Sequence, residues 1–367
     1  MAISPGPIVL YAAIVGCPSY INTRYPTFMS PSIRVVIPFW EGHAYIEACV
    51  ASIASSHHKV NEVIIVDNSP TPLRLSQHLL GLVPLKVIRC RPSIGFGRAC
   101  NVGLRYATTQ GTDITILLNQ DARLDTCTVS HLTNFLVAHP SCFAAAPLSF
   151  EYNGEGISAA FTKMYLAPNT DLIRDLVLGK LKESYIVSNK GVNASCLALN
   201  GSALQRVGGF DPLFMMYGED GELLQRACND GFEIALLPHA RHFHRHSLGS
   251  EGSTPGGNII QRWCRRGIII TLLKDESRTT RQALTSAMTF VRRSYVRSIR
   301  HLRVRDLFEF VSSDLSLLLT LPRILRHRKR ERLIQAIEQQ AVKDIAPSIL
   351  RTEVPCRDNN RVSAIAH

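Results

Sequence analysis

The sequence of 367 residues lacks several features that would place it in a specialised class. It has no apolar run close to the roughly 20 residues that a membrane-spanning helix requires. Its ten cysteines include no Cys-x-x-Cys pair, and most stand singly in apolar stretches such as "EACVASI", which is typical of reduced core thiols. The N-terminal "PIVLYAAIVGC" has no basic residue before it, so it predicts a packed arm over residues 1–32 rather than a signal peptide. We therefore expect a cytoplasmic protein.

Acidic residues are also in short supply. Asp and Glu number 29 against 41 Lys and Arg, and the formal net charge of +12 favours an anionic partner. Residues 292–330 hold eleven basic residues and three acids, with the arginines alternating with apolar clusters. This pattern predicts a basic helical region over 251–345, followed by a flexible tail over 346–367. We interpret the helices as a surface for an anionic membrane, with an ordinary solvated face and a dimer contact as the alternatives.

An alternation of strands and helices dominates the first half of the chain. Four β-branched apolar runs, at 33–40, 60–69, 85–90 and 113–121, are separated by stretches that include two of helical periodicity at 44–56 and 97–111. This order predicts βαβ units and an α/β fold with a mainly parallel sheet flanked by helices. Ligand-binding groups are then expected at the carboxyl ends of the strands.

Acidic residues stand at two of these predicted strand ends. Asp67 follows the second run, and Asp121 follows the fourth in "LLNQDARLD". Asp67 is suited to accept hydrogen bonds from a base or a ribose, and Asp121 to bind a hard cation that neutralises a diphosphate. The alternative is that both acids only form Asx-type turns.

A glycine-rich segment, "SIGFGRACNVGL" (93–104), opens the second predicted helix. It is similar to a phosphate-binding loop, but the third glycine of a dinucleotide fingerprint is missing and no Walker lysine follows. The glycines are equally suited to tight packing of a helix on a strand. The incomplete fingerprint argues against a dinucleotide oxidoreductase.

Two later segments carry further chemistry. "MYGEDGELL" (216–224) places Glu219 and Asp220 at a predicted helix start, either as partners of the helix dipole or as a general base. "HARHFHRHS" (239–247) alternates His242, His244 and His246 on a predicted strand that follows a turn, which admits a zinc site. Because no cysteine or acid stands at a familiar zinc spacing, a single histidine joining Asp121 on a cation is the simpler interpretation.

The order of these segments resembles the inverting family 2 glycosyltransferases with the GT-A fold, particularly their rhamnosyltransferase-like branch. The segments that carry the resemblance span residues 33–250 and are "VVIPFWE", "VIIVDNS", "GFGRACNVGL", "LLNQDA", "GGFDPLFMMYGEDGELLQRACNDGFEI" and "HFHRHSLGS". The resemblance implies a single mixed, mainly parallel sheet as the catalytic domain, with the basic helices appended to it.

The resemblance also implies roles for individual residues. Asp67 corresponds to the acid that binds the nucleotide base, and Asp220 to the second acid of the "ED" pair, the catalytic base. Asp121 corresponds to the last acid of the Asp-x-Asp motif, which together with His244 holds a divalent metal, Mg²⁺ or Mn²⁺. The other residues expected to contact the nucleotide-sugar are Pro38, Glu41, Asn101, Asn119 and Glu219.

One position departs from that pattern. Asn119 stands where the first acid of Asp-x-Asp is expected, which resembles the "LNPD" variant of the rhamnosyltransferase-like branch with Gln120 in place of the proline. The loss of one charged ligand predicts weaker metal binding.

The implied function is transfer of a sugar, with rhamnose favoured, from a nucleoside-diphosphate sugar to a hydroxyl of a saccharide or lipid-linked acceptor in bacterial cell-surface polysaccharide synthesis. The location is then the cytoplasm or the inner face of the plasma membrane, and the oligomeric state stays open. The alternative is a nucleotide-sugar-binding protein without activity. A nucleic-acid-binding protein is disfavoured, because no helix-turn-helix or RNA-binding aromatic signature accompanies the charge.

Overall fold

The computed structural model describes residues 30–166, 169–188, 192–245, 257–301 and 304–345. Within these ranges the strands are β1 (Ile33–Phe39), β2 (Glu62–Asp67), β3 (Leu85–Arg89), β4 (Ile114–Leu118), β5 (Ala122–Leu124), β6 (Cys142–Glu151), β7 (Tyr185–Val187), β8 (Cys196–Asn200) and β9 (Glu233–His244). The predicted tail lies outside the described residues, as do most of the predicted arm, His246 and the Ser/Gly segment that follows it.

Helices cover the sheet and continue beyond it. Those of the sheet region are α1 (His43–Ala54), α2 (Gln77–Leu80), α3 (Phe96–Thr109), α4 (Thr128–Ala138), α5 (Ala159–Phe161), a π-helical turn (Thr162–Leu166), α6 (Thr170–Leu178), α7 (Gly201–Val207) and α8 (Glu219–Asn229). The C-terminal helices are α9 (Gly257–Lys274), α10 (Thr280–Arg300), α11 (Val304–His327) and α12 (Arg330–Asp344). None of the helices in the described ranges is long and apolar enough to cross a membrane.

The strands form one mixed sheet in the order β3-β2-β1-β4-β8-β6-β9-β5, with β7 paired to β9. The first four strands in this order are parallel, β8 runs antiparallel between β4 and β6, and β6 pairs with β9 in parallel. Alternate residues of each buried strand enter opposite cores. In β1, Val36 joins one hydrophobic cluster, whereas Val35 and Ile37 join the other, as expected when helices cover both faces.

The predicted strand, turn and strand after residue 232 form instead one continuous strand, β9. The register with β6 slips between Pro147 and Leu148, so that Leu237 pairs with Pro147 and Arg241 with Leu148. Pro147 and Pro238 both lie at this irregularity and cannot donate a ladder hydrogen bond. A local bulge therefore accommodates the prolines that the sequence pattern treats as a chain reversal.

The C-terminal helices return to the sheet region. Arg98, in the first turn of α3, forms an ion pair with Asp344 at the end of α12. A Cβ atom on Gly208 would lie 3.1 Å from Ile334, and one on Gly267 of α9 would overlap the carbonyl oxygen of Tyr217. The basic helical region is therefore packed directly on the α/β core, beside the start of α8.

Candidate active site

Three loops are tied together where β1, β2 and β4 end. The Asn68 amide donates to the Phe39 carbonyl at 2.8 Å, and the Glu41 amide donates to the Ser69 hydroxyl at 2.6 Å. Gln120 clamps the third loop, because its side chain accepts from the Trp40 amide at 2.8 Å and donates to the Trp40 carbonyl at 2.9 Å. The strand ends thus form one rigid edge that carries the predicted site residues.

Glu41 adopts a left-handed conformation with φ 50°. Such a backbone is unfavourable for a residue with a side chain and is concentrated at functional loops. Its carboxylate accepts from the Thr71 amide at 3.1 Å and so holds the loop after β2. Pro38 lies one residue before the end of β1, in register with Val66. The predicted contacts of Pro38 and Glu41 with a nucleotide-sugar stay predictions.

Asp67 is buried at the end of β2 and is already extensively bonded. One carboxylate oxygen accepts from the Ser69 amide at 3.1 Å, which is an Asx turn, and the other accepts from the Leu73 amide at 2.9 Å. Arg89, its register partner on β3, forms an ion pair with it and also donates to the Ser69 carbonyl at 2.8 Å. Asp67 therefore shapes this loop, and its contact with a base stays a prediction.

The loop after β4 meets the end of β9 at His244. Ala122 pairs with His244 in register, which places the His244 Nε2 atom 3.3 Å from the Asp121 Oδ1 atom and 3.3 Å from the Asn119 Nδ2 atom. The Asn119 Oδ1 atom is buried and has no hydrogen-bond partner within the described residues. The structure thus brings together the three residues predicted for the diphosphate and metal.

A divalent cation fits the chemistry of these groups. The carboxylate of Asp121, the imidazole of His244 and the unsatisfied amide oxygen of Asn119 are all suitable donors for Mn²⁺ or Mg²⁺. The described residues contain no group of three His, Cys, Asp or Glu side chains placed for a metal ion. At this site the third donor is the amide oxygen of Asn119. Of the other two histidines in the predicted alternation, His242 contacts the Ser195 hydroxyl at 2.9 Å, and His246 lies outside the described residues.

Asp220 and Glu219 begin α8, as predicted from the sequence. Asp220 is partly buried and accepts from the Gly221 amide at 2.8 Å. Burial raises the pKa of Asp220, while the amide groups of Gly221 and Ala194 act to lower it. Because the Asn119 amide donates to the Ser195 carbonyl at 2.9 Å, the segment before β8 links Asp220 to the Asn119 loop.

Glu219 is more deeply buried, with 5% of its surface exposed, and its Oε2 atom has no hydrogen-bond partner within the described residues. Burial, followed by the charge of Asp220, raises the pKa of Glu219 to about 8. Glu219 is therefore largely protonated near neutral pH. Neither acid forms an ion pair with a basic side chain in the part of the chain that the structure describes.

The glycine-rich segment serves close packing in this structure. A Cβ atom on Gly95 would lie 2.7 Å from the Met215 carbonyl, and one on Gly97 would lie 3.1 Å from Phe210 and 3.5 Å from Glu219. Gly95 also has φ +90°, which favours glycine. These glycines allow the segment before α8 to approach the start of α3. Such close packing is the second of the two interpretations of the glycine-rich segment, the first being phosphate binding.

The amide of Asn101 is used for structure rather than directed at the strand ends. Its side chain donates to the Phe210 carbonyl and accepts from the Phe210 amide, both at 2.7 Å, and it is 4% exposed. These contacts give the buried backbone groups of Phe210 their hydrogen-bond partners, and they hold α3 against the chain before α8. The predicted contact of Asn101 with the nucleotide-sugar therefore finds no support in this geometry.

Several residues of this region were not predicted from the sequence. Arg89 was detectable, because it ends a strand beside Asp67. Tyr165 was not detectable: burial, followed by the charge of Asp220, raises the pKa of its phenol. Asn193 accepts from the Ser195 hydroxyl at 2.6 Å, and only the folded chain brings this pair to His242.

The sequence of residues 34–184 matches the family model "Glycosyl transferase family 2". The match covers less than half of the chain. The matched segment includes Asp67 and Asp121 but ends before Asp220 and His244. No curated protein sequence matches the chain.

A solved structure is similar to the chain in fold. The chain resembles the crystal structure of S. aureus TarS 1-349 in complex with UDP-GlcNAc, with a TM-score of 0.51 and 14% identity over 85% of this chain and 92% of TarS 1-349. The predicted GT-A fold, with a mixed, mainly parallel sheet and C-terminal helices, is thereby confirmed.

Two further likenesses are weaker. The mannosyltransferase PcManGT from Pyrobaculum calidifontis, in complex with GDP-Man and Mn²⁺, has a TM-score of 0.46 and 14% identity over 86% of this chain and 87% of PcManGT. GalNAc-T7 with UDP, GalNAc and Mn²⁺ has a TM-score of 0.47 and 16% identity over 66% of this chain. The match spans about half of GalNAc-T7, 51% of its chain.

Proposed function

We propose that the protein is an inverting glycosyltransferase that moves a sugar from a nucleoside-diphosphate sugar to an acceptor hydroxyl. The observation that carries the proposal is the pair Glu219 and Asp220 at the start of α8. Both carboxyls are held away from basic partners, and a chain of backbone contacts joins Asp220 to the loop of Asp121. A structural acid at a helix start has no need of such burial, whereas a general base benefits from a raised pKa.

Asp220 is the proposed general base. It takes the proton of the acceptor hydroxyl as that oxygen forms a bond to the anomeric carbon of the donor. The bond from the anomeric carbon to the diphosphate breaks in the same displacement, so the configuration inverts and no covalent enzyme intermediate forms. The amide groups of Gly221 and Ala194 favour the charged form of Asp220, while Glu219 remains protonated beside it.

A divalent metal, Mg²⁺ or Mn²⁺, completes the proposed site, held by Asp121 and His244 with the amide oxygen of Asn119. When bound, it neutralises negative charge on the leaving diphosphate. Asn119 supplies no charge, so binding weaker than with two carboxylates is expected. The GalNAc-T7 and PcManGT structures each include Mn²⁺, one of the two metals proposed here.

Rhamnose is the favoured sugar, because the Asn119-Gln120-Asp121 loop resembles the rhamnosyltransferase-like branch. The proposed acceptor is a saccharide or a lipid-linked saccharide of bacterial cell-surface polysaccharide synthesis, met at the cytoplasmic face of the plasma membrane. Asp67, Glu41 and Pro38 are the proposed donor contacts on the β1–β2 side.

A donor panel tests the proposal. Purified protein is incubated with dTDP-rhamnose, UDP-sugars and GDP-mannose, with Mn²⁺ or with EDTA, and release of nucleoside diphosphate is followed. Turnover of one donor that EDTA abolishes is expected. Tight binding of a donor without turnover, in the presence of lipid-linked acceptors, would establish the alternative, a binding protein without activity. Binding of no donor would contradict both.

A further inference from the structure

Helix α11 presents an apolar stripe to solvent. The stripe residues recur at i, i+4, i+7 and i+8, the spacing of one helical face. Their exposed fractions are 48% for Val311, 58% for Leu315, 64% for Leu318 and 85% for Leu319. Single exposed hydrophobic residues are ordinary, but a contiguous exposed row is typical of an interaction surface.

Helix α10, which packs against α11, combines the same features with positive charge. Met288 is 70% exposed and Ile299 is 59% exposed, on the same side as Val296. The exposed arginines on this helix are Arg292, Arg293, Arg297 and Arg300. The last turns of α11 add the exposed Arg323 and Arg326 directly after its apolar stripe.

The acidic side chains described on these two helices contact α9 instead. Asp314 forms an ion pair with Arg265 of α9 at 2.8 Å and accepts from the Tyr295 hydroxyl at 3.1 Å. Glu309 lies 3.9 Å from Arg262, also on α9. Among the side chains that the structure describes, the outward surface of α10 and α11 is thus apolar and basic without an exposed acid.

We propose that this surface, the α10–α11 face, docks on an anionic lipid bilayer. The face comprises the exposed residues Met288, Arg292, Arg293, Val296, Arg297, Ile299, Arg300, Val311, Leu315, Leu318, Leu319, Arg323 and Arg326. The apolar residues enter the boundary between headgroups and acyl chains, and the arginines contact the anionic headgroups. In this proposal both helices lie in the plane of the interface.

Charge favours a bilayer over a second copy of this chain. In a two-fold contact the same patch meets itself, so the arginines of one copy would face those of the other. No acid in the described part of the face is available to compensate them. An anionic bilayer provides the opposite charge and an apolar layer at the same time.

The docking surface extends the proposed function, because a lipid-linked acceptor is presented at such a bilayer. Helix α9, on which α10 and α11 pack, contacts the Tyr217 carbonyl just before Glu219 through Gly267. Helix α9 therefore connects the two helices of the face to the start of α8.

Vesicle binding tests the proposal without any glycosyl transfer. The full chain is sedimented with two kinds of vesicle, at low and at high salt. One kind is phosphatidylcholine alone, and the other also contains roughly 30–40% of the anionic lipid phosphatidylglycerol. Two variants weaken the face, Leu318→Gln with Leu319→Gln, and Arg292→Gln with Arg293→Gln. Matched controls are Val177→Gln with Leu178→Gln, which are also exposed (63% and 57%), and Arg74→Gln with Lys180→Gln, which remove the same charge elsewhere.

The expected result is binding to anionic vesicles that falls with salt, and a loss of about tenfold or more in each face variant while both controls bind as wild type. Asp220→Asn should bind vesicles normally, so that failure of the catalytic proposal leaves this result unaffected. Unchanged vesicle binding in both face variants would overturn the proposal. So would light scattering that shows a wild-type dimer which Leu318→Gln with Leu319→Gln converts to a monomer.

Discussion

Helix α8 carries two kinds of buried acid less than one turn apart, and their pKa values are shifted in opposite directions. At its start, burial raises the pKa of Glu219 and of Asp220. Burial alone would also raise the pKa of Glu222, but Arg226 and Lys274 outweigh it and lower that pKa. The helix is the same, so the partners decide the outcome.

Glu222 belongs to a network of buried ion pairs. Lys274 of α9 pairs with both Glu222 and Asp211, and His327 of α11 contacts Asp211 at 2.8 Å. Arg226 pairs with Glu222 and also donates to the Val207 carbonyl at 2.6 Å. This network fixes α8 against the C-terminal helices. It holds the start of the helix in place while leaving the acids there without basic partners, which is an arrangement suited to proton transfer.

Replacing Asp220 with Asn is expected to have the largest effect. Transfer should fall by about 10²–10⁴-fold, because the carboxylate that accepts the proton is lost while the shape is kept. Donor binding, measured by calorimetry, should stay near wild type, and the free energy of unfolding should not fall. Glu222→Gln is the matched change on the other side of the comparison, and it should lower stability instead. Equal loss of turnover in both variants would contradict the division between the two acids.

Removing the shared cation should destabilise the fold strongly. Lys274→Met leaves Asp211 and Glu222 buried with one partner fewer, and breaking a buried pair costs about 3–5 kcal/mol in the free energy of unfolding. Urea unfolding measures this. Arg278→Met, which breaks a half-exposed pair with Asp275 nearby, is the control and should cost about 0–1 kcal/mol. A similar small cost at both positions would show that the network does not secure α8.

Glu219 should make stability depend on pH. Its pKa is about 8 in the fold but near the ordinary glutamate value in the unfolded chain, so the unfolded chain loses the proton first as pH rises. The free energy of unfolding should therefore fall between about pH 4.5 and pH 8, with a slope of up to about 1.4 kcal/mol per pH unit.

Glu219→Gln should remove this contribution and make the protein more stable than wild type near pH 8. Chemical unfolding at several pH values, with wild type and Glu219→Gln side by side, provides the comparison. Identical pH dependence in the two proteins would mean that Glu219 is ionised in the fold.

The smallest effect is expected at Asn119, which brings an unsatisfied oxygen but no charge to the site. Asn119→Asp should tighten Mn²⁺ binding by about tenfold, because a second carboxylate is added beside Asp121 and His244. Gln120→Glu adds the same charge one residue later, but that side chain is bonded to Trp40 and should leave Mn²⁺ affinity nearly unchanged. Calorimetric titration of Mn²⁺ distinguishes the two variants.

Local patterns were sufficient to predict the sheet region. Runs of β-branched residues predicted β1, β2, β3 and β4 within two residues at each end, except where β4 stops before Asn119. The start of α8 at Glu219 was also predicted, because adjacent acids favour a helix N-terminus. These features depend on neighbours in the sequence.

Contacts between distant segments were not predictable in the same way. The pair Arg98 and Asp344 joins residues 246 positions apart, and the network of Lys274 joins α8 to helices whose sequence indicates only basic amphipathic character. The hydrogen bonds between the Asn101 side chain and the Phe210 backbone are a further contact of this kind. Nothing in a local pattern reports which buried backbone groups need a partner.

The configuration of the first product tests the central claim most directly. A donor that the protein turns over is followed by proton NMR, and the anomeric signal of the transferred or hydrolysed sugar is recorded before it equilibrates. A single displacement with Asp220 as base predicts a product whose anomeric configuration is opposite to that of the donor. Retention of the donor configuration would contradict that claim.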